Sequence, residues 1–320
     1  MVKPTVLVTR KLPDNVEARI RRDYNGLFNP EDRLYSTDEL IERATQADAI
    51  LPCHTEHFSA GVIEQLPDRV KAIANFSVGV DHCDLEAARQ KGIVVTNTPD
   101  VLTDATAEIA MLLMLGAARR ASEGERLIRA GQWNTWSPAF MVGTQVTGKR
   151  LGIVGMGRVG QVTARRARGF DMKIHYYNRR RLDIGLENGA VYHESLESLL
   201  PVCDFLALHC PNLPETQDLL NAERIGRLPA GAIVINTARG AVVDEDALIA
   251  ALKSGKLAAA GLDVYKNEPD IRKDFAALDN VFLLPHIGSA TRETRDAMGF
   301  RALDNLDAIF AGREPKDRVA

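Results

Sequence analysis

The chain has 320 residues, long for one compact domain, so two domains are the first expectation. Its 40 lysines and arginines against 43 aspartates and glutamates leave a net charge of −3. With a pI near 6.2 this gives no electrostatic case for nucleic acid or an anionic membrane surface, so the expected partner is a small molecule.

The most apolar run, residues 109–118, stops at Arg119-Arg120, well short of the roughly 20 residues a bilayer requires, so no membrane partner is expected. The opening Met-Val-Lys-Pro leads into strand material rather than a signal peptide's apolar stretch. Cys53, Cys83, Cys203 and Cys210 show neither C-x-x-C spacing nor a disulfide framework, so no metal site is expected and a reducing cytoplasm fits. From residue 5 onward, strand-like runs (5–9, 49–51, 71–74, 93–96) alternate with helix-like ones (13–23, 37–45, 59–65, 84–91), the pattern of a parallel α/β sheet. No glycine-rich phosphate loop interrupts this part, which therefore reads as a substrate domain. Its loop from Asn75 to His82 follows a strand end and has the composition to turn successive amides toward an anion; a plain βα turn is an equal reading.

After Thr98-Pro99 an apolar-periodic segment over 103–119, with Thr103 or Asp104 as cap, predicts a helix crossing between domains. Both tryptophans, Trp133 and Trp136, fall in a loop-like stretch from Gly131 to Pro138 and read as core or interface anchors. Residues 151–160 then give a short apolar strand running into Gly155-x-Gly157-x-x-Gly160. The first glycine permits a tight turn, the second lets the backbone approach a pyrophosphate, and the third lets the next helix pack close with its amides toward the phosphates. A breaker-free stretch over 158–168 and a β-branched, aromatic run over 173–177 complete a βαβ unit. An NAD-binding unit would carry a carboxylate at the tip of that second strand. Asn178-Arg179-Arg180-Arg181 stands there instead, and arginine forks match a 2′-phosphate, so the tip predicts NADP(H) in preference to NAD(H).

Buried-strand runs follow at 204–209, 232–236, 259–264 and 281–284, each ending in polar or small residues at the sheet's carboxyl edge, where a doubly wound sheet holds its ligand. Residues 292–311 form a last helix, free to cross back onto the first domain. The expected architecture is thus α/β with two doubly wound parallel-sheet domains: a flavodoxin-like substrate domain, 1–98 with 291–320, and a Rossmann dinucleotide-binding domain, 99–290. Arg239, Glu268 and His286, each near a strand end, make a reactive set. Reduction of a 2-keto acid needs a cation for the carboxylate and carbonyl oxygen, a hydride donor, and a proton donor; arginine, nicotinamide and histidine fill these roles, with a glutamate fixing the far imidazole nitrogen. Taken singly, each of the three is more often a structural residue.

Jointly they carry a resemblance. Val78-Gly79-Val80-Asp81, the cradle, Asn236-Thr-Ala-Arg239-Gly-Ala-Val-Val-Asp244, Ala260-Gly-Leu-Asp263-Val, Glu268-Pro269 and Pro285-His286-Ile-Gly288-Ser-Ala-Thr291 together resemble the D-2-hydroxyacid dehydrogenase family along essentially the whole chain. The resemblance implies an Arg239, Glu268 and His286 triad, a substrate-carboxylate cradle from the backbone of Val78 and Gly79, and a homodimer built on the nucleotide domains. It also implies cofactor contacts near Thr106, Arg158, Val159, Cys210, Pro211, Thr216, Thr237, Ala238, Asp263 and Gly288. Trp133 to Pro138, the arginine tip and residues 287–291 look most like the glyoxylate and hydroxypyruvate reductase branch. There a tryptophan matching Trp136 reaches the partner's active site, an expectation held even with plain interface packing. The chain stops soon after the last helix, which argues against the regulatory domain of many 3-phosphoglycerate dehydrogenases. Formate dehydrogenases of this fold carry Gln where Glu268 stands, so a glutamate favours acid–base chemistry. The rival readings are another D-2-hydroxyacid dehydrogenase activity and a dinucleotide-sensing scaffold like the family's corepressors; no tail or low-complexity arm supports the latter.

Overall fold

The computed structural model describes residues 3–320, in two compact units: the chain up to Leu102 together with Ser289–Ala320, and Thr103–Gly288. The first unit is built on five parallel strands, β1 (Thr5–Val8), β2 (Asn25–Leu27), β3 (Ala49–Leu51), β4 (Ala72–Ala74) and β5 (Val94–Thr96), in the order β2-β1-β3-β4-β5. This is the flavodoxin-like order. Every residue of β3 and β4 is buried, as expected for strands covered by helices on both faces. Ser36 and Asp84 cap the helices Thr37–Ala44 and Leu85–Lys91 by accepting from Glu39 N and from Glu86 N and Ala87 N.

The helix Arg292–Phe310 packs in this same unit on the helix Asp14–Asp23. A Cβ at Gly299 would lie 2.3 Å from Val16, so glycine is what permits the close approach, and Arg19 reaches Asp304 and Asp307 at 2.7 Å. The last residues run antiparallel to β5, with Val319 N donating to Val95 O at 2.8 Å, and cover an edge that would otherwise present unpaired backbone groups.

The second unit holds seven parallel strands, β6 (Arg150–Val154), β7 (Lys173–Tyr177), β8 (Val191–His193), β9 (Phe205–Leu208), β10 (Ala232–Asn236), β11 (Leu257–Leu262) and β12 (Val281–Leu283). The order β12-β11-β10-β9-β6-β7-β8 is the Rossmann arrangement extended by one strand, with the topological switch between β6 and β9. The helix Thr103–Ala118 is apolar on nearly every face and is buried against the helix Arg158–Ala167 and β11.

Three features differ from the sequence reading. The edge strands β2 and β8 carry too little apolar signal to be read: one contains Asn25-Gly26, and the other follows Asn188-Gly189. The helix Ala121–Arg129 starts directly after Arg120 turns left-handed at φ 53°, so Arg119-Arg120 divides two helices rather than ending one. Of the two readings of the tryptophans, core or interface anchors, the core one fails: Trp133 is 56% and Trp136 74% exposed, in a stretch over 131–140 that is exposed throughout.

Candidate active site

The cradle follows β6. Gly155 has φ +95°, and a Cβ on it would lie 2.6 Å from Cys210 N, so the turn presses against the tip of β9. At Gly160 a Cβ would sit 2.4 Å from Gly155 O, which forces glycine where the helix Arg158–Ala167 folds over the strand. Gly157 differs, since a Cβ there would meet no protein atom within 4 Å; that position faces open space at an uncapped helix N-terminus, the geometry for an approaching phosphate. The Asn178 carboxamide oxygen accepts from Met156 N at 2.8 Å and ties the tip of β7 to the cradle.

A cleft of about 760 Å³ opens beside the cradle. Gly155, Gly157, Asn178, Arg179, Arg180, Cys210, Pro211 and Thr216 of the expected cofactor residues line it, joined by Glu194, Glu197, His209 and Glu215, which sequence reasoning did not single out. Thr216 staples its own turn, accepting from Leu213 N at 2.8 Å and donating to Pro211 O at 2.7 Å. Arg181 leaves the expected group of tip arginines: it pairs with Glu187 at 2.7 Å and 3.0 Å, and Glu187 also accepts from the Tyr176 hydroxyl at 2.6 Å. Those bonds, Arg181 first, hold the Glu187 carboxyl down to about 2. The tip therefore offers Arg179 and Arg180 to the cleft and spends Arg181 on packing.

The remaining expected residues lie along the carboxyl edge of the same sheet, outside that lining. Arg158 and Val159 open the helix after the cradle, with Arg158 exposed. Thr237 Oγ1 lies 3.0 Å from His209 Nδ1, and burial pushes that imidazole down to about 4, so it is neutral. Asn236, fully buried, accepts from Ala238 N at 2.9 Å and donates to Arg239 O at 3.0 Å, which shapes the Arg239 loop. Gly240 lies flat on the backbone of Tyr265, where a Cβ would come within 1.9 Å of Tyr265 C. Asp263, buried at the end of β11, accepts from Ile287 N at 2.8 Å, and burial raises its carboxyl above the usual range. A Cβ at Gly288 would stand 3.2 Å from Asp263 and 3.6 Å from Thr106, so these three residues come together.

Glu268 and His286 meet. His286 Nδ1 lies 2.6 Å from Glu268 Oε2, while Glu268 Oε1 accepts from Tyr265 N at 2.7 Å. The Tyr265 hydroxyl donates to Leu284 O at 2.8 Å and lies 3.0 Å from Leu262 O, tying the ends of β11 and β12 two residues before His286. His286 has φ 53°, a left-handed backbone that non-glycine residues keep only where the surroundings impose it. The arrangement presents an imidazole with its Nδ1 held by a carboxylate.

In the first unit the loop after β4 is pinned through its carbonyls. Asn97 Nδ2 donates to Val78 O at 2.8 Å and Ser77 Oγ donates to Gly79 O at 2.7 Å, so both carbonyls of this pair are engaged by side chains.

A model of the D-isomer specific 2-hydroxyacid dehydrogenase NAD binding domain matches residues 111–288. The chain belongs to the D-2-hydroxyacid dehydrogenase family. It is 45% identical over 316 residues to a glycerate dehydrogenase from Hyphomicrobium methylovorum, covering 98% of each chain. It is 42% identical over 323 residues to a glyoxylate reductase from Pyrococcus furiosus, covering 99% of this chain and 96% of that one. Among solved structures, an NADPH-dependent glyoxylate/hydroxypyruvate reductase from Sinorhizobium meliloti in complex with NADP and malonate superposes with a TM-score of 0.88 at 32% identity, covering 99% and 97% of the two chains. This member of the family is therefore an oxidoreductase with an NAD-binding Rossmann domain. Among its described residues no helix is long and apolar enough to cross a membrane.

Proposed function

We propose that this protein is an NADPH-preferring reductase of glyoxylate and hydroxypyruvate, giving glycolate and D-glycerate. The observation that carries the reaction is the contact of 2.6 Å between His286 and Glu268, with Glu268 held in turn by Tyr265 N at 2.7 Å. The open face of Gly157 and the arginines of the adjoining cleft fit a phosphorylated dinucleotide. When bound, NADPH supplies a hydride to the keto carbon. In this reading Arg239 binds the carboxylate and carbonyl oxygen, and the amides of Val78 and Gly79 hold the carboxylate. His286 Nε2 gives the proton to the developing alkoxide while Glu268 stabilises the imidazolium. Thr106, Asp263 and Gly288 serve the nicotinamide end, and Arg179 and Arg180 the 2′-phosphate.

The relative named glycerate dehydrogenase supports a second reading of the same site, with glycerate as the main hydroxy acid. The exposed apolar run of Ile128, Trp133, Trp136, Phe140 and Val142 supports a homodimer, and the composition supports a cytoplasmic enzyme. His286→Ala tests the assignment: turnover should collapse while NADPH affinity, read by nucleotide fluorescence, stays within about twofold. A variant that keeps most of its rate removes His286 from the mechanism.

A further inference from the structure

We infer that Glu215 limits the preference for NADPH by competing with the 2′-phosphate for Arg179, an inference that rests on the reading of Arg179 and Arg180 as the 2′-phosphate site. Both side chains line the cleft, and Arg179 Nη1 lies 3.4 Å from Glu215 Oε1. Glu215 does not sit on a loose loop. It occupies the turn Pro214–Thr216, whose last residue is tied back by its hydroxyl to Leu213 N and Pro211 O before the turn. The turn carries the Glu215 carboxylate to within reach of Arg179 at the tip of β7.

The charges lining the cleft balance. Arg224 is taken by Glu197 at 3.1 Å and by Leu219 O at 2.9 Å, Arg179 by Glu215, and Arg180 and Glu194 make no ion pair among the described residues. A 2′-phosphate entering beside Arg179 must displace Glu215 and then remain near its negative charge, whereas a 2′-hydroxyl suffers neither penalty. Both partners are exposed, at 71% for Arg179 and 58% for Glu215, so water and salt screen the pair and the effect is a graded bias.

The experiment compares wild type, Glu215→Gln, Glu215→Ala, Arg179→Ala and the Arg179→Ala/Glu215→Gln double variant. Adenosine 2′,5′-bisphosphate and 5′-AMP serve as calorimetric probes, alongside the ratio of kcat/KM for NADPH over NADH. Both Glu215 variants should tighten the bisphosphate by about three- to tenfold more than 5′-AMP and raise the ratio in parallel, with the gain shrinking at 0.5 M salt and vanishing in the double variant. If Arg179→Ala lowers the ratio but the Glu215 variants leave it unchanged or lower it, Glu215 is no competitor while the arginine tip stands. If Arg179→Ala leaves the ratio unchanged, the reading of the tip fails and the inference falls with it.

Discussion

Glu268→Gln is the sharpest perturbation of the proposed chemistry, because it changes no volume and removes one charge. In the wild type one carboxylate oxygen accepts from Tyr265 N at 2.7 Å and the other faces His286 Nδ1 at 2.6 Å. A carboxylate accepts at both ends; an amide cannot. Since the Tyr265 N–H needs an acceptor, the glutamine oxygen must stay there and its NH₂ must face Nδ1, which selects the neutral imidazole protonated on Nε2 and opposes the imidazolium. Two unit charges about 4 Å apart interact by about 4 kcal/mol at an effective dielectric near 20. His286 and Glu268 retain 28% and 24% side-chain exposure, which argues for discounting that figure to about 2–3 kcal/mol. The expected outcome is a fall of about 30- to 150-fold in kcat for glyoxylate reduction with the NADPH dissociation constant within about twofold. Steady-state kinetics with fluorescence titration measure both, and a kcat within about threefold of wild type would refute the reasoning.

Two further predictions concern the cofactor side of the sheet. Gly157→Ala should weaken NADPH binding by about tenfold or more without loss of thermal stability, because its Cβ meets no protein atom; Gly160→Ala should lower the melting temperature, because its Cβ would lie 2.4 Å from Gly155 O. Differential scanning calorimetry with and without NADPH separates the two, and equal melting temperatures for the variants would contradict the assignment. His209 is neutral in the fold, with its pKa pushed down to about 4 by burial. The unfolded chain therefore binds more protons between about pH 6.5 and pH 4, and this residue's contribution to stability falls as pH drops through that window, by about 2 kcal/mol between pH 7 and pH 5. Wild type minus His209→Asn stability, from urea unfolding at each pH, should fall by that amount; a difference that does not vary with pH would show that His209 is not buried neutral.

How much of this was legible in the sequence follows from burial. The strands β9 and β10 are buried at every position, so their side chains are apolar up to Asn236 at the end of β10 and the runs stand out. The cradle is readable because backbone contact at Gly155 and Gly160 excludes any side chain. At the sheet edges the signal fails: β2 and β8 are three residues each and half exposed, so nothing in their composition is forced. Three adjacent arginines carry no direction in the sequence, and Glu187, which pairs with Arg181, becomes its neighbour only in the fold, where Tyr176 of β7 is buried and donates to the same carboxylate. The tryptophans by type suit core or interface alike, and only the fold, which leaves them exposed on the second unit, removes the core reading. Asn236, Tyr265 and Glu215 act on backbone or across the cleft, relations that only the folded chain creates.

The most direct test of the account is the wild-type kcat/KM for glyoxylate and for hydroxypyruvate, each measured with NADPH and with NADH. The account predicts turnover of both acids and a higher value with NADPH for each, from the arginines at the tip of β7. A higher value with NADH would contradict the cofactor reading, and turnover of neither acid would contradict the proposed function itself.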